Sequence, residues 1–145
     1  MKAVVQRVIK GQVSIGGQVR ASIGQGFVIL LGVEKDDDQA KADALAKKIA
    51  NLRVFSDAQG KMNLSILETR GEVIVVSQFT LMADTRKGNR PSFIDAAPPE
   101  LASPLVDYFI AQMAALGVPA QSGVFGAEML VEIHNDGPVT ILFEY

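Results

Sequence analysis

The 145-residue chain contains 48% hydrophobic and 21% charged residues, proportions typical of one globular domain and not of a disordered or fibrous protein. It has no cysteine, which excludes disulfide bonds, thiolate metal sites and a cysteine nucleophile. Its 14 basic and 16 acidic residues give a formal net charge of -2, whereas proteins that bind nucleic acid through many phosphates usually have a basic excess.

No stretch approaches the ~20 consecutive apolar residues that a membrane-spanning helix requires. The longest apolar run, residues 27–31, has the length of a strand. The N-terminus carries Lys2, Gln6 and Arg7 among its valines and lacks the apolar block of a signal peptide. We therefore expect a cytoplasmic protein that does not enter a membrane.

The first third of the chain has the pattern of β-strands. Residues 3–9 are apolar and rich in β-branched side chains, and Gly16-Gly17 between residues 13–15 and 18–20 is a good hairpin signal. Residues 26–33 are continuously apolar, which suits a strand that is covered on both faces.

Helix and strand patterns then alternate. Carboxylates at residues 36–38 precede Leu45, Ile49 and Leu52, whose spacing predicts a helix. The remaining predictions in this region are a short strand over residues 53–55, a polar turn over 56–63, a strong strand over 72–81 and a loop over 83–91.

A second helix and a final set of strands complete the pattern. The helix has an apolar face and ends at Gly117, and Pro104 either marks its start, with Ser103 as the cap, or bends its first turns. The residues of that face are Leu101, Leu105, Tyr108, Phe109, Met113 and Leu116. Strands are predicted over residues 121–125, 128–135 and 138–145. This order indicates a single α+β domain over residues 1–145, with a mostly antiparallel sheet and two main helices.

His134 is the only histidine and so the only base for a conventional Ser–His or Thr–His pair. Strand alternation places it on one face with Leu130 and Glu132, where an exposed histidine is the favoured interpretation. The acidic residues 36–38 are better explained by helix capping than by a bound cation. We expect no metal site, because there is no second histidine, and no cofactor.

Arg86, Lys87 and Arg90 form a small basic cluster in the predicted loop. A solvated surface loop is the favoured interpretation over a phosphate contact. The cluster has the size to meet a few phosphates but not a duplex.

Two polar motifs remain, SQFTL at residues 77–81 and NDGPVT at residues 135–140. Polar residues that end an apolar strand can form the floor of a site or simply end the strand, and the pattern alone leaves both interpretations open. Gly137-Pro138 after Asn135-Asp136 has the chemistry of a β-hairpin turn. Since only ~5–6% of X–Pro bonds are cis, the sequence alone favours a trans bond there.

Taken together, these two motifs resemble the two signature motifs of the D-aminoacyl-tRNA deacylases. Four further runs resemble the same family: VQRV at residues 5–8, KMNLS at 61–65, KGNRPSF at 87–93 and GVFGAEM at 123–129. The similarity extends over essentially the whole chain.

The resemblance implies a three-layer β/β/α domain that acts as a homodimer. It also implies hydrolysis of the ester bond of D-aminoacyl-tRNA, with the 3′ CCA end of the RNA as the bound partner. The Gly137–Pro138 bond is expected to be cis and to reach the partner's active site, where its carbonyls would reject L-amino acids.

The resemblance assigns roles to nine residues. The catalytic group is Ser77, Gln78, Phe79 and Thr80; chiral selectivity belongs to Gly137 and Pro138; substrate binding belongs to Arg7, Phe125 and Met129. Backbone N–H groups near Phe79 and Thr80 would form an oxyanion hole, and the ribose 2′-hydroxyl would assist the attacking water.

Three alternatives remain open. Thr80 could be a covalent nucleophile, although no base for it is evident. The protein could be a relative with a trans Gly137–Pro138 bond that acts on a small L-aminoacyl-tRNA, or an RNA-end binder without turnover. Glycyl-tRNA is a further expected substrate, because glycine has no side chain to exclude.

Overall fold

A computed structural model describes residues 1–145. The strands are β1 (Lys2–Ile15), β2 (Gln18–Ile23), β3 (Gly26–Gly32), β4 (Phe55–Ser56), β5 (Met62–Leu64), β6 (Glu72–Ser77), β7 (Ala120–Ser122) and β8 (Leu130–Glu144). The helices are α1 (Gln39–Ala50), α2 (Ile66–Thr69) and α3 (Pro99–Ala115), and a 3-10 helix (Phe79–Met82) follows β6. None of these helices combines the length and the apolar composition that a membrane-spanning helix needs.

Six of the strands form one mixed sheet in the order β2-β1-β3-β6-β7, with β8 also paired to β1. β1 is antiparallel to β2, β3 and β8, whereas β3–β6 and β6–β7 are parallel pairs. The expectation of a mostly antiparallel sheet is therefore not confirmed. The connections from β3 to β6 and from β6 to β7 contain α1 and α3, and such crossovers join parallel strands.

Two buried clusters lie on opposite faces of β3 and β6. The larger one, of 24 residues, joins Phe27, Ile29 and Val75 to α1 and α3. The smaller one joins Val28 and Ile74 to the second half of β1 and to β2. Residues 26–33 are thus covered on both faces, as their continuous apolarity predicts.

The acidic residues before α1 have structural partners. Asp38 is the N-cap of α1, and its side chain accepts from the backbone N–H of Lys41 at 2.9 Å. The buried Asp37 carboxylate accepts from the amino group of Met1 at 2.6 Å and from the backbone N–H of Glu34 at 2.6 Å. Helix capping therefore explains Asp38, as predicted, and contacts within the protein occupy Asp37.

Several element boundaries differ from the sequence predictions. α3 begins at Pro99 and contains Pro104 in its interior, so Pro104 does not mark the start. The predicted polar turn over residues 56–63 contains part of the β4–β5 hairpin. α2, which was not predicted, begins with a capping box between Ser65 and Glu68.

The NDGP segment is not a hairpin turn, and this is the main correction to the predicted fold. Residues on both sides of it pair with β1 in the same antiparallel sense, Asn135 with Val8 and Thr140 with Gln6. Four residues, 136–139, therefore lie opposite the single residue Arg7. Long side-by-side pairing keeps β8 as one strand, and the surplus residues form a bulge that projects from it.

Candidate active site

A cavity of about 630 Å³ lies where β3 and β6 end, beside the first turns of α3. Thirteen of its 17 lining residues are hydrophobic, and none has a charged side chain. Five of the nine residues expected to form the site are among them: Ser77, Gln78, Phe79, Phe125 and Met129. Arg7, Thr80, Gly137 and Pro138 are not.

The floor of the cavity forms where β6 changes into the 3-10 helix. The strand ends at Ser77 instead of continuing to residue 81 as predicted, and the backbone N–H of Gln78 donates to the carbonyl of Leu31 at 2.8 Å. No side chain caps the 3-10 helix that follows. Since the first N–H groups of a helix have no acceptor within it, those of Phe79 and Thr80 are available to an oxygen atom of a ligand.

Thr80 lies just outside the cavity lining. The side-chain amide of Gln78 donates to its hydroxyl oxygen. The only histidine, His134, is exposed on β8 opposite Lys10, as its strand alternation predicts. No histidine or carboxylate in the cavity lining could therefore act as a base for Thr80.

Two aromatic rings form one wall of the cavity. Phe79 is 59% exposed, and its ring meets that of Phe93 edge to face, with the centroids 5.0 Å apart. The sequence analysis assigned no role to Phe93, because nothing in the spacing of residues 79 and 93 indicates that their rings meet.

A second wall comes from the segment between β7 and β8. A side chain at Gly123 would place its Cβ 2.4 Å from the sulfur of Met129, so the glycine leaves the space that Met129 occupies. The backbone N–H of Val124 also donates to this sulfur at 3.4 Å. Met129 is thus held facing the cavity, and Phe125 also lines it.

The first turns of α3 supply further lining residues that the sequence analysis missed, including Pro99, Ala102 and Val106. The apolar spacing of this helix indicates which face is covered. It does not distinguish contact with other side chains from contact with an open cavity, so no signal in the sequence could have identified these residues as part of a site.

Arg7 holds the bulge of residues 136–139 in place. Its Nε lies 3.0 Å from Oδ2 of Asp136 and donates to the Asp136 carbonyl at 3.3 Å, and its Nη1 donates to the carbonyl of Val54. The Asn135 amide donates to the carbonyls of Arg7 at 2.9 Å and Val139 at 3.0 Å. Side-chain hydrogen bonds thus anchor the bulge at both ends.

The tip of the bulge is exposed and lies outside the cavity of its own chain. The Gly137–Pro138 bond is cis, which is the conformation that the resemblance implies. Gly137 has a φ of 117°, and a Cβ at this position would lie 3.0 Å from Nη2 of Arg7 and 2.9 Å from Cγ2 of Val139. Both the backbone conformation and the space require glycine here.

A basic loop over residues 84–92 lies between the two aromatic residues of the cavity wall. Asp84 and Ser92 pair across its base. The guanidinium and the backbone N–H of Arg86 donate to the Asp84 carboxylate. These bonds lower the pKa of Asp84 from 3.8 to about 2.

Comparison with known proteins gives a consistent result. A family model described as D-Tyr-tRNA(Tyr) deacylase matches residues 4–144. A D-aminoacyl-tRNA deacylase of Roseiflexus sp. (strain RS-1) is 56% identical over 144 residues, which make up 99% of this chain and 93% of the relative. One of Dehalococcoides mccartyi (strain ATCC BAA-2266 / KCTC 15142 / 195) is 54% identical over 144 residues, 99% of this chain and 94% of the relative.

Two solved structures share the fold. The c-Myc DNA Unwinding Element Binding Protein superimposes with a TM-score of 0.93 at 42% identity, covering 100% of this chain and 99% of the other. A "probable eukaryotic D-amino acid tRNA deacylase" gives a TM-score of 0.83 at 16% identity, covering 98% and 97%, a likeness that concerns the fold alone. The family match over residues 4–144, with relatives more than half identical, shows that this chain belongs to the D-Tyr-tRNA(Tyr) deacylase family.

Proposed function

We propose that the protein hydrolyses the ester bond of D-aminoacyl-tRNA and releases the free D-amino acid and the tRNA. The observation that carries this proposal is the uncharged cavity at the end of β6, where N–H groups of the 3-10 helix lack intrahelical acceptors. Such a site can stabilise an oxyanion without a titratable side chain. Relatives that are 54–56% identical carry the name of this activity.

The reaction needs little from the side chains because an aminoacyl ester is already reactive. Water attacks the carbonyl carbon, and the backbone N–H groups of Phe79 and Thr80 stabilise the oxyanion that forms. The bond to the ribose 3′ oxygen then breaks, and the proton of the water passes to that oxygen. The adjacent 2′-hydroxyl of the RNA assists the proton transfer, which agrees with the absence of a base among the lining residues.

Substrate binding follows from the two walls of the cavity. Phe125 and Met129 contact the terminal adenosine of the CCA end, since an aromatic ring and a thioether suit the face of a base. Ser77 and Gln78 lie at the floor, beside the ester.

Chiral selection is the role of the bulge. Gly137 and Pro138 present backbone carbonyls at an exposed tip that Arg7 and Asn135 hold in place. A carbonyl oxygen can accept from the α-amino group of a D-amino acid and leave no room for an L side chain. Glycine has no side chain to reject, so glycyl-tRNA is also a substrate.

The bulge acts in the cavity of a second copy of the chain, because it does not line its own. Large apolar side chains on β1 and β8 are available for an interface: Ile9 is 63%, Leu130 65% and Leu142 60% exposed. β8 pairs with β1 alone, and such an exposed edge favours association. We therefore propose a homodimer with the catalytic cavity of each subunit completed by its partner.

Hydrolysis assays test this proposal. The protein is incubated with D-Tyr-tRNA, L-Tyr-tRNA and Gly-tRNA, and the released amino acid is counted. We expect release from the D-ester and the glycyl ester but not from the L-ester.

Other patterns of amino acid release would contradict the chiral filter or favour one of the alternative functions. Equal release from the D- and L-esters would contradict the chiral filter. Release from a small L-ester alone would favour the L-specific relative. Binding of the RNA end without any release would make the protein a non-catalytic binder.

A further inference from the structure

The basic loop of residues 84–92 has its base beside the cavity wall that Phe79 and Phe93 form. It follows the 3-10 helix that carries Phe79 and leads directly into Phe93, and the rings of these two residues meet with centroids 5.0 Å apart. Backbone hydrogen bonds of 2.8 and 2.9 Å between Asp84 and Ser92 close its base. A nine-residue loop paired at its base extends about 13 Å at most, so its side chains remain near the cavity.

The three cations of the loop differ in their surroundings. The guanidinium of Arg86 binds both carboxylate oxygens of Asp84, at 2.9 and 2.7 Å, and Asp84 and Asp95 raise the pKa of Arg86. Lys87 and Arg90 are exposed, and neither is within 4.0 Å of a carboxylate. The loop therefore presents two unpaired positive charges, while Arg86 is already neutralised.

Lys87 and Arg90 supply positive charge that the cavity lining lacks. No charged residue lines the cavity, and the whole chain has a formal charge of -2, so general electrostatic attraction of an RNA is weak. Each nucleotide that precedes the terminal adenosine nevertheless carries a phosphate. A protein that holds one RNA end needs only a few cations, at the position where the strand leaves the cavity.

We propose that Lys87 and Arg90 bind phosphates of the nucleotides that precede the terminal adenosine, while Arg86 holds the loop in shape through Asp84. This inference rests on the proposed function, since it takes the RNA end to occupy the cavity. The sequence pattern favoured a solvated loop and did not distinguish the three cations, whereas their contacts in the structure do.

The salt dependence of RNA binding tests the proposal. Each phosphate contact to a single strand contributes about 0.7 to the slope of log affinity against log salt concentration. In the double variant Lys87→Gln/Arg90→Gln, we expect the slope for D-Tyr-tRNA, measured as kcat/KM and as the Kd of uncharged tRNA, to fall by about 1.4. The advantage of the wild type over the variant should then shrink about sevenfold between 50 and 200 mM salt.

A matched control removes the same charge elsewhere. Lys47 and Lys48 are exposed on α1 and do not line the cavity, so Lys47→Gln/Lys48→Gln should keep the wild-type slope. A second substrate, the D-tyrosyl ester of adenosine, has no phosphate. The ratio of kcat/KM for the tRNA ester to that for the adenosine ester should fall in the loop variant and not in the control.

The outcomes separate this inference from the proposed function. An unchanged salt slope in the loop variant, or an equal fall in the control, would overturn the phosphate contacts even if hydrolysis is intact. Equal falls in kcat/KM for the tRNA ester and the adenosine ester would also overturn the phosphate contacts, because they would indicate damage to the cavity. Failure of the wild type to hydrolyse either ester would contradict the proposed function, whereas the Kd of uncharged tRNA would still test the loop.

Discussion

Thr80 illustrates how the position of a single side chain limits the possible chemistry. Its hydroxyl accepts from the Gln78 amide and lies outside the cavity lining. In the sequence it belongs to the same polar motif as Ser77, and nothing in the motif distinguishes a hydroxyl at the reaction centre from one beside it. The proposed function therefore uses the backbone N–H of residue 80, at the start of the 3-10 helix, and not its hydroxyl.

We expect Thr80→Ala to retain hydrolysis within about tenfold of the wild type, since loss of one neutral hydrogen bond costs about 1 kcal/mol. A tRNA with a 2′-deoxy terminal adenosine should instead react about 10²–10⁴ times more slowly, the usual contribution of general acid–base assistance. Single-turnover rates with D-Tyr-tRNA measure both effects. Near-complete loss of hydrolysis in a folded Thr80→Ala variant would instead favour Thr80 as the covalent nucleophile.

The Asp84 carboxylate makes the stability of the basic loop depend on pH. Its pKa is lowered from 3.8 to about 2 by hydrogen bonds from the Arg86 side chain and backbone. A lowered pKa stabilises the folded loop above pH 3.8, and this stabilisation is lost as the pH falls through about 2. Carboxyl ¹³C NMR should show this titration in the wild type.

Arg86→Gln should raise the pKa of Asp84 toward 3.8 without reaching it, because the backbone N–H of residue 86 still donates at 2.9 Å. Arg90→Gln in the same loop is the control and should leave the titration near pH 2. An equal shift in both variants would mean that the general charge of the loop, and not the Arg86 contact, lowers the pKa.

At the scale of elements, the bulge in β8 is where local chemistry and tertiary pairing disagree. Asn-Asp-Gly between apolar segments is strong turn chemistry, yet β8 continues past it. The reason is that β1 is long enough to pair with both parts of β8. Pairing between residues more than a hundred positions apart is invisible to local turn propensity, so the hairpin prediction was wrong.

The Asn135 amide should be important for the shape of this bulge. Asn135→Asp removes the donor to two carbonyls, those of Arg7 and Val139. We expect a loss of about 1–3 kcal/mol in the free energy of unfolding, measured by urea denaturation, together with reduced hydrolysis of D-Tyr-tRNA.

Asn51→Asp serves as the comparison, because it removes one exposed hydrogen bond, to the carbonyl of Lys47. The loss in the free energy of unfolding should stay below about 1 kcal/mol for Asn51→Asp, and the hydrolysis of D-Tyr-tRNA should be unchanged. Equal stability and activity of the two variants would show that Asn135 does not hold the bulge.

At the scale of the whole molecule, the structure separates two parts of the expected site. The cavity contains Ser77, Gln78, Phe79, Phe125 and Met129, while the bulge with Gly137 and Pro138 projects elsewhere. A homodimer in which each bulge enters the other subunit's cavity would unite them.

Mixing two inactive variants tests this arrangement. Phe79→Arg blocks the cavity at an exposed position, and Gly137→Val distorts the bulge, because its Cβ would lie 3.0 Å from Arg7. After subunit exchange, half of the dimers are mixed and contain one intact site, so we expect about a quarter of the wild-type activity. Circular dichroism checks that each variant is folded. No recovery of activity in mixed dimers would contradict a site shared between subunits.

The sequence by itself determined the elements with strong local patterns. Apolar runs and alternation predicted β1, β2 and β3, helical spacing predicted α1 and α3, and the two motifs with their neighbouring runs identified the family over nearly the whole chain. These signals are local, because each depends on the spacing of nearby residues or on a short sequence motif.

The tertiary structure decided what depends on distant residues. It made the sheet mixed, because crossovers through α1 and α3 bring β3, β6 and β7 together in parallel. It placed Phe93 against Phe79 and the first turns of α3 around the cavity. It also turned the NDGP segment from a hairpin into a bulge, since long-range strand pairing, the buried Arg7 and the Asn135 amide hold the chain in that form.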